Sequence, residues 1–174
     1  MEQQKREERG GYPNGLNERC PILRTYAISP RICKSSDTFR FAVEYQYDEP
    51  DDFYIAIALH DIRRGGISYD TGMKTFKMKD HGHHVAVFDI PLNIFNNGEF
   101  RLIASLRIPN PNDDQQTDAV GVAVDENACT FVIQDERNRN YALLSDRALT
   151  MTQVDDSIIN ILSLIHISEP TRRR

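Results

Sequence analysis

The sequence predicts an all-β fold, an antiparallel immunoglobulin-like β-sandwich of seven to eight strands. Short segments in which apolar and polar residues alternate recur about every 10–15 residues, separated by residues that favour turns. No apolar pattern with helical spacing precedes residue 137. Strands without intervening helices favour a sandwich over a parallel α/β sheet.

The first strands are predicted from residue 22 to residue 47. Residues 22–29 lie between two prolines, and residues 34–37 form a polar turn. The clearest strand covers residues 39–47, where every second residue is large and apolar or aromatic. We expect that set to face the core: Phe39, Phe41, Val43, Tyr45 and Tyr47.

A β-hairpin is predicted from residues 53–62 and 67–77. Gly65 and Gly66 separate the two segments, and a Gly-Gly pair is typical of a tight hairpin turn. The second segment is irregular around Gly72, where we expect a bulge or bend.

Residues 85–106 are predicted to form a second antiparallel hairpin. Pro91 cannot donate to a β-ladder and ends its first strand. Residues 96–98, Asn-Asn-Gly, supply the turn. A polar loop at 109–118, a short strand at 120–124 and a last strand at 128–134 follow.

The composition changes on both sides of this region. Residues 1–19 are interpreted as a linker-like polar arm, 20–135 as the sandwich and 136–161 as a C-terminal extension, in which Asp155 would cap a short helix. The last stretch, 162–174, resembles translated sequencing-adaptor DNA, and we exclude it from the fold.

Composition limits the function classes. A net charge of −5 disfavours a general nucleic-acid binder. No apolar run approaches the roughly 20 residues of a membrane span. Three cysteines without CxxC spacing indicate a reducing compartment and idle thiols.

Motifs for catalysis are missing from the sequence. It contains neither GxSxG nor GxxxxGK[ST], so neither a nucleophile elbow nor a P-loop is predicted. His81, His83 and His84 lie close together, but the last two begin a strand and should point to opposite faces. We expect no catalytic residue, no metal and no cofactor; a hydrolase or metal-dependent enzyme using this cluster is the alternative.

We favour a sheet surface that binds a glycan over an enzyme. Sugars offer an apolar C–H face for aromatic rings and a rim of hydroxyls for polar side chains. Tyr54 and Tyr69 would share a surface if Gly65 and Gly66 form the hairpin turn. The glycan-binding candidates lie on the predicted strands: Tyr54, His60, Tyr69, Asp70, Arg101, Ser105 and Arg107.

Several segments carry a resemblance to a known family. They are the strand at 38–47, the strand at 53–61 with its Gly-Gly turn, the sequences FDIPL at 88–92 and NGEFRL at 97–102, and TFVI at 130–133. Over residues 20–135 the chain resembles the C-terminal glycan-binding domain of the ATP-binding subunit of O-antigen polysaccharide ABC exporters (Wzt type). The ATPase domain of that family is not in this sequence, and we expect the chain to be a fragment of a longer protein.

The resemblance implies a carbohydrate-binding domain that recognises an O-antigen-type polysaccharide for export. It implies a homodimer, formed partly by exchange of the C-terminal strand at an open sheet edge beside residues 128–134. It also implies ATPase and membrane subunits as partners, and a cytoplasmic location at the inner membrane. The alternative is a structural or interaction sandwich without sugar specificity, such as a glycosyltransferase accessory domain.

Overall fold

The fold is that of a computed structural model, which describes residues 16–72, 75–113, 119–125, 129–134 and 149–154. The prediction of an all-β fold is confirmed, because these residues form strands, turns and one short 3-10 turn. The strands are β1 Ile22–Ala27, β2 Ile32–Cys33, β3 Thr38–Tyr47, β4 Tyr54–Asp61, β5 Ile67–Asp70, β6 Phe76–Lys77, β7 Gly82–Pro91, β8 Gly98–Pro109, β9 Ala119–Asp125, β10 Thr130–Ile133 and β11 Thr150–Val154.

The strands form two sheets. The first sheet has the order β1-β3-β7-β11, and its strand pairs are antiparallel. The second has the order β2-β10-β8-β4-β5. There β6 extends the β5 side of β4, and β9 extends the β10 side of β8. The strands β4 and β8 are therefore the centre of the second sheet.

Aromatic side chains from both sheets fill one core. Phe39 of the first sheet stacks on Phe131 of the second, with ring centroids 4.4 Å apart. Phe131 also lies 5.6 Å from Phe100. The five alternating residues of β3 are fully buried, as predicted from their period of two. Burial of this apolar area is the main force that holds the two sheets together.

The hairpin between β4 and β5 is confirmed. Gly65 and Gly66 both have positive φ, 80° and 81°, a conformation that glycine adopts without a Cβ penalty. The carboxylate of Asp61 accepts hydrogen bonds from the backbone N–H groups of Arg63 and Arg64 and so closes the turn. Gly72 also has positive φ, at the predicted irregularity between β5 and β6.

The predicted hairpin over residues 85–106 is wrong. The strands β7 and β8 lie in different sheets, and each pairs with other strands. After Pro91, the 3-10 turn Leu92–Ile94 carries the chain from the first sheet to the second. Leu92 and Phe95 are buried in the core at this crossing. Alternation fixes which residues face inwards, but a sandwich strand alternates in the same way in either sheet.

Other differences concern short or late strands. The described residues contain eleven strands instead of seven to eight, because the two-residue β2 and β6 count separately and β11 lies beyond the predicted sandwich. The prediction of an open sheet edge beside residues 128–134 is wrong, because β2 pairs in parallel with Val132 and Ile133 of β10. The strand β11, from the predicted extension, forms the edge of the first sheet.

Some predictions fall outside the described residues. They are the short helix after Asp155, the stretch 162–174, most of the arm 1–19 and residues 114–118 of the polar loop. Within the described part of the chain, no helix is long and apolar enough to cross a membrane.

Candidate functional site on the outer face of the second sheet

Central strands of the second sheet bring most of the predicted binding residues together. The antiparallel register pairs Tyr54 with Arg107 and His60 with Arg101, and Ser105 lies opposite Ala56. Directly opposed residues project from the same face of a sheet. The alternate residues of β4, Ile55, Ile57 and Leu59, are fully buried in the core. The candidate residues of both strands are therefore on the outer face.

The strand β5 adds a carboxylate to this face. Asp70 lies opposite Ala58, which in turn lies opposite Ile103 of β8. One oxygen of Asp70 accepts a hydrogen bond of 2.7 Å from the N–H of Gly72, which orients the side chain. Asp70 is exposed, so its second oxygen faces solvent as an acceptor.

A depression of about 170 Å³ lies in the middle of this face, and we call it the outer-face pocket. Its floor is formed by short side chains, because β4 carries alanine at two successive outward positions, Ala56 and Ala58. Apolar and polar groups share its lining: Ala56, Ile57, Ala58, Ile67, Asp70, Ile103, Ser105, Arg107 and Val124. The volume is below the 300–1,000 Å³ typical of drug-sized ligands. It suits one sugar ring or a small substituent.

Arg107 is positioned over one end of the outer-face pocket. Its Nε donates a 3.1 Å hydrogen bond to the hydroxyl of Ser105, two residues earlier on the same face. Ser105 is buried, so this contact fixes the guanidinium on a rigid strand. The remaining N–H groups of Arg107 are donors for a ligand.

Arg101 and His60 form the other end of the face. The guanidinium of Arg101 donates to Nδ1 of His60 at 2.9 Å. A guanidinium has no hydrogen-bond acceptor, so Nδ1 of His60 must accept this hydrogen bond with its lone pair. The proton of the imidazole is then on Nε2. The Nε of Arg101 is buried and has no hydrogen-bond partner in the described part of the chain. A buried donor without a partner costs free energy.

Two predicted site residues need correction. Tyr69 lies on the core face, opposite Leu59, with its ring edge-on to Phe95 at 6.0 Å. Only 6% of its surface is exposed. Neighbouring residues of a strand point to opposite faces, so Tyr69 and Asp70 could not both face outwards. Tyr54 is on the outer face but is only 9% exposed, so it does not offer a ring for stacking.

Comparison with known proteins assigns the chain to no family. No protein-family model matches the chain, and no curated protein matches it at a significant level. The resemblance to the exporter domain therefore stays a prediction, together with the roles it implies.

Apolar residues of the outer-face pocket were missed by sequence reasoning. They are Ala56, Ala58, Ile67, Ile103 and Val124. Their signal was present in part: two alanines at alternate positions of a central strand leave space on one face. Val124 pairs with Ser105 across β9, and that pairing between distant segments has no local signal.

Histidines of the 81–84 cluster serve the structure. His83 contacts the carboxylate of Glu44 at 2.8 Å on the outer face of the first sheet. His84 lies beside the core residue Tyr45 and contacts the carbonyl of His81 at 2.7 Å. The two side chains therefore lie on opposite faces, as predicted. Among the described residues, no group of three His, Cys, Asp or Glu is arranged to hold a metal.

The thiols are poor nucleophiles. Cys20, Cys33 and Cys129 are all buried and unbridged. Burial raises the pKa of Cys33 to about 11 and the pKa of Cys20 and Cys129 to about 12. Each thiol is therefore protonated at neutral pH and lacks the thiolate needed for attack.

Proposed function

We propose that the chain is a non-catalytic carbohydrate-binding domain that recognises a polysaccharide through the outer face of its second sheet. The observation that carries the proposal is that Asp70, Ser105 and Arg107 line a pocket with an apolar floor. His60 and Arg101 lie on the same face of the sheet, outside the pocket. Binding is reversible, and no bond is made or broken.

The chemistry of this surface suits a sugar. The alanine floor and the exposed Ile67 provide apolar contact for the C–H face of a ring. Arg107 and Ser105 donate hydrogen bonds to oxygens, and Asp70 accepts them from hydroxyls. Because the buried tyrosines offer no stacking ring, affinity would come from these small apolar contacts and from hydrogen bonds on a rigid sheet.

The biological role follows from the resemblance to the exporter domain. We propose that the bound polymer is an O-antigen-type polysaccharide and that the domain selects it for ABC-transporter export. Its partners would be the ATPase and membrane subunits of the exporter, in the cytoplasm at the inner membrane. A homodimer is part of this proposal, but it would not use the edge beside β10, which β2 occupies.

Filling the outer-face pocket tests the proposal. Ala58→Trp places a large side chain on the floor, at a position that is part-exposed and outside the core. The matched control is Thr152→Trp, an exposed position on the outer face of the first sheet. We expect Ala58→Trp to weaken binding to an array of bacterial polysaccharides about tenfold or more, or about 1.4 kcal/mol. Thr152→Trp should bind like the unmodified chain.

Two results would argue for the other interpretations. If the unmodified chain binds no polysaccharide on the array, the domain is a structural or interaction module. If it binds polysaccharide and releases shortened products, it is a hydrolase. Equal binding by Ala58→Trp and the unmodified chain would move the site away from the outer face of the second sheet.

A further inference from the structure

We propose that the outer-face pocket takes an acidic glycan, whose carboxylate or phosphate group is bound by Arg107. This inference rests on the proposed function and names the class of polysaccharide. It comes from the way arginines are paired across the molecule.

Most arginines of the described residues have a carboxylate within 4 Å. The contacts are Arg19–Glu49 at 2.6 Å, Arg24–Glu44 at 3.6 Å, Arg40–Asp89 at 2.7 Å, Arg63–Glu99 at 3.9 Å and Arg64–Asp61 at 3.0 Å. Arg101 and Arg107 differ, since neither has a carboxylate within that distance among the described residues. Both lie on the outer face of the second sheet.

Unpaired guanidinium groups are unexpected in an acidic protein. The chain has 26 acidic and 21 basic residues, so carboxylates are in excess. Arg107 and Arg101 are nevertheless partly buried against β4 and contact neutral groups, a hydroxyl and an imidazole. Partial burial of a charge is costly unless an opposite charge compensates it. A ligand that carries the negative charge supplies that compensation.

Arg107 has the geometry to bind such a group. Its Nε is used by Ser105, and among the described residues no hydrogen-bond partner is found for its two terminal nitrogens. Arg107 lines the pocket, so these nitrogens are the donors that it can offer there. A guanidinium presents its N–H groups as a planar fork that matches carboxylate and phosphate oxygens. The hydroxyl of Ser105 lies beside the same anion position and can donate to it.

Asp70 lies at the opposite side of the pocket and does not cancel this charge. It belongs to β5, two strands away from Arg107, and no ion pair joins the two side chains. In the proposed complex it accepts hydrogen bonds from hydroxyls of the same sugar. A sugar with an acidic group at one end and hydroxyls at the other fits this arrangement. Uronic acids and phosphorylated sugars have these groups.

The second unpaired arginine extends the site along the strand. Arg101 precedes Arg107 by six residues, about 20 Å along β8. Two anion-binding groups at that distance suit a polymer with repeated acidic residues better than a single sugar.

The test compares Arg107→Gln with the unmodified 174-residue chain. Arg40→Gln is the matched control, because it removes the same charge from the outer face of the first sheet, where Arg40 pairs with Asp89. The probes are an array of uronate-containing, phosphate-containing and neutral bacterial polysaccharides. We expect the chain to prefer acidic polysaccharides, Arg107→Gln to bind them about tenfold or more weakly, and Arg40→Gln to bind them normally.

Carboxyl reduction and phosphatase treatment of the bound polysaccharide identify which anion is recognised, since only one treatment should abolish binding. A preference for neutral polysaccharides, or unchanged binding by Arg107→Gln, would overturn the acidic-glycan inference and leave carbohydrate binding intact. If the unmodified chain binds no polysaccharide, both this inference and the proposed function fail.

Discussion

Outer faces of the two sheets carry similar residues but use them differently. On the first sheet, the guanidinium of Arg40 donates to both oxygens of Asp89 at 2.7 and 2.8 Å. Glu44 is contacted by His83 and by the hydroxyl of Tyr26. On the second sheet, the hydrogen bonds of Arg101 and Arg107 within the described part of the chain go to an imidazole and a hydroxyl. The first face neutralises its charges within the sheet, and the second leaves donors for a ligand.

Residue type alone does not mark a binding surface in this protein. Arginine, histidine and tyrosine occur on both faces, at the same alternating positions of a β-strand. On the second face, by contrast, neither Arg101 nor Arg107 has a carboxylate within 4 Å among the described residues. Two outward alanines of β4 also leave a hollow there. Both properties depend on which strands are neighbours.

The largest expected effect concerns Tyr69, which lies beneath the second face and not on it. Tyr69→Ala removes a ring that packs edge-on against Phe95 in the core. We expect the free energy of unfolding to fall by about 3 kcal/mol, as for other aromatic-to-alanine changes in cores. Urea unfolding measures this loss. A stable variant with weakened glycan binding would instead return Tyr69 to the site.

A smaller loss of stability is expected from Glu44→Ala on the first face. The change removes a buried carboxylate that accepts from the hydroxyl of Tyr26 and contacts the imidazole of His83. Because Glu44 is only 6% exposed, we expect unfolding to require about 2 kcal/mol less. Glu44→Gln, which keeps an acceptor oxygen, should retain part of that stability. Glycan binding by the folded fraction should not change, and a change would show that the first face takes part in binding.

The smallest effect is a pH dependence confined to the first face. The hydrogen bond from Arg40 holds the pKa of Asp89 below its usual 3.8. A lowered pKa in the folded state means that the pair stabilises the fold above pH 3.8 and that this contribution is lost as the pH falls through the folded pKa. The contribution is small because the pair is largely solvated.

Arg40→Gln and Arg107→Gln should therefore respond differently to acid. The stability difference between Arg40→Gln and the unmodified chain should shrink as the pH is lowered from about 5 to about 2. The difference for Arg107→Gln should not, because none of the described carboxylates lies within 4 Å of Arg107. Thermal unfolding across this pH range measures both. If the stability differences of the two variants change with pH in the same way, the two arginines do not differ in carboxylate pairing.

Much of the fold could be predicted from the sequence, because strand positions depend on local alternation and turn residues. The core set of β3 and the Gly65-Gly66 turn were predicted in this way, and both are confirmed. The partners of β7 and β8 could not be predicted, since alternation is the same in either sheet of a sandwich. The short turn after Pro91 changes the sheet, and nothing in its composition distinguishes that from a hairpin connection.

The candidate site shows the same division. Alternation along β4 and β8 was enough to place His60, Arg101, Ser105 and Arg107 on outward positions. Tyr69 was misplaced because its orientation depends on where β5 pairs with β4, next to an irregularity at Leu59 and His60. The shortage of carboxylates around Arg107 depends on strands that are distant in sequence, so only the fold reveals it.

Mapping the residues that contact the ligand tests directly whether a glycan binds to the outer face of the second sheet. The backbone amide signals of the chain are followed by NMR while the acidic polysaccharide that binds best on the array is added. We predict shifts in Ala56, Ala58, Ile103 and Ser105, with the signals of β3 and β7 unchanged. Shifts that instead follow β3 and β7, or that gather at the loop residues 110–113, would contradict the assignment of binding to the outer face of the second sheet.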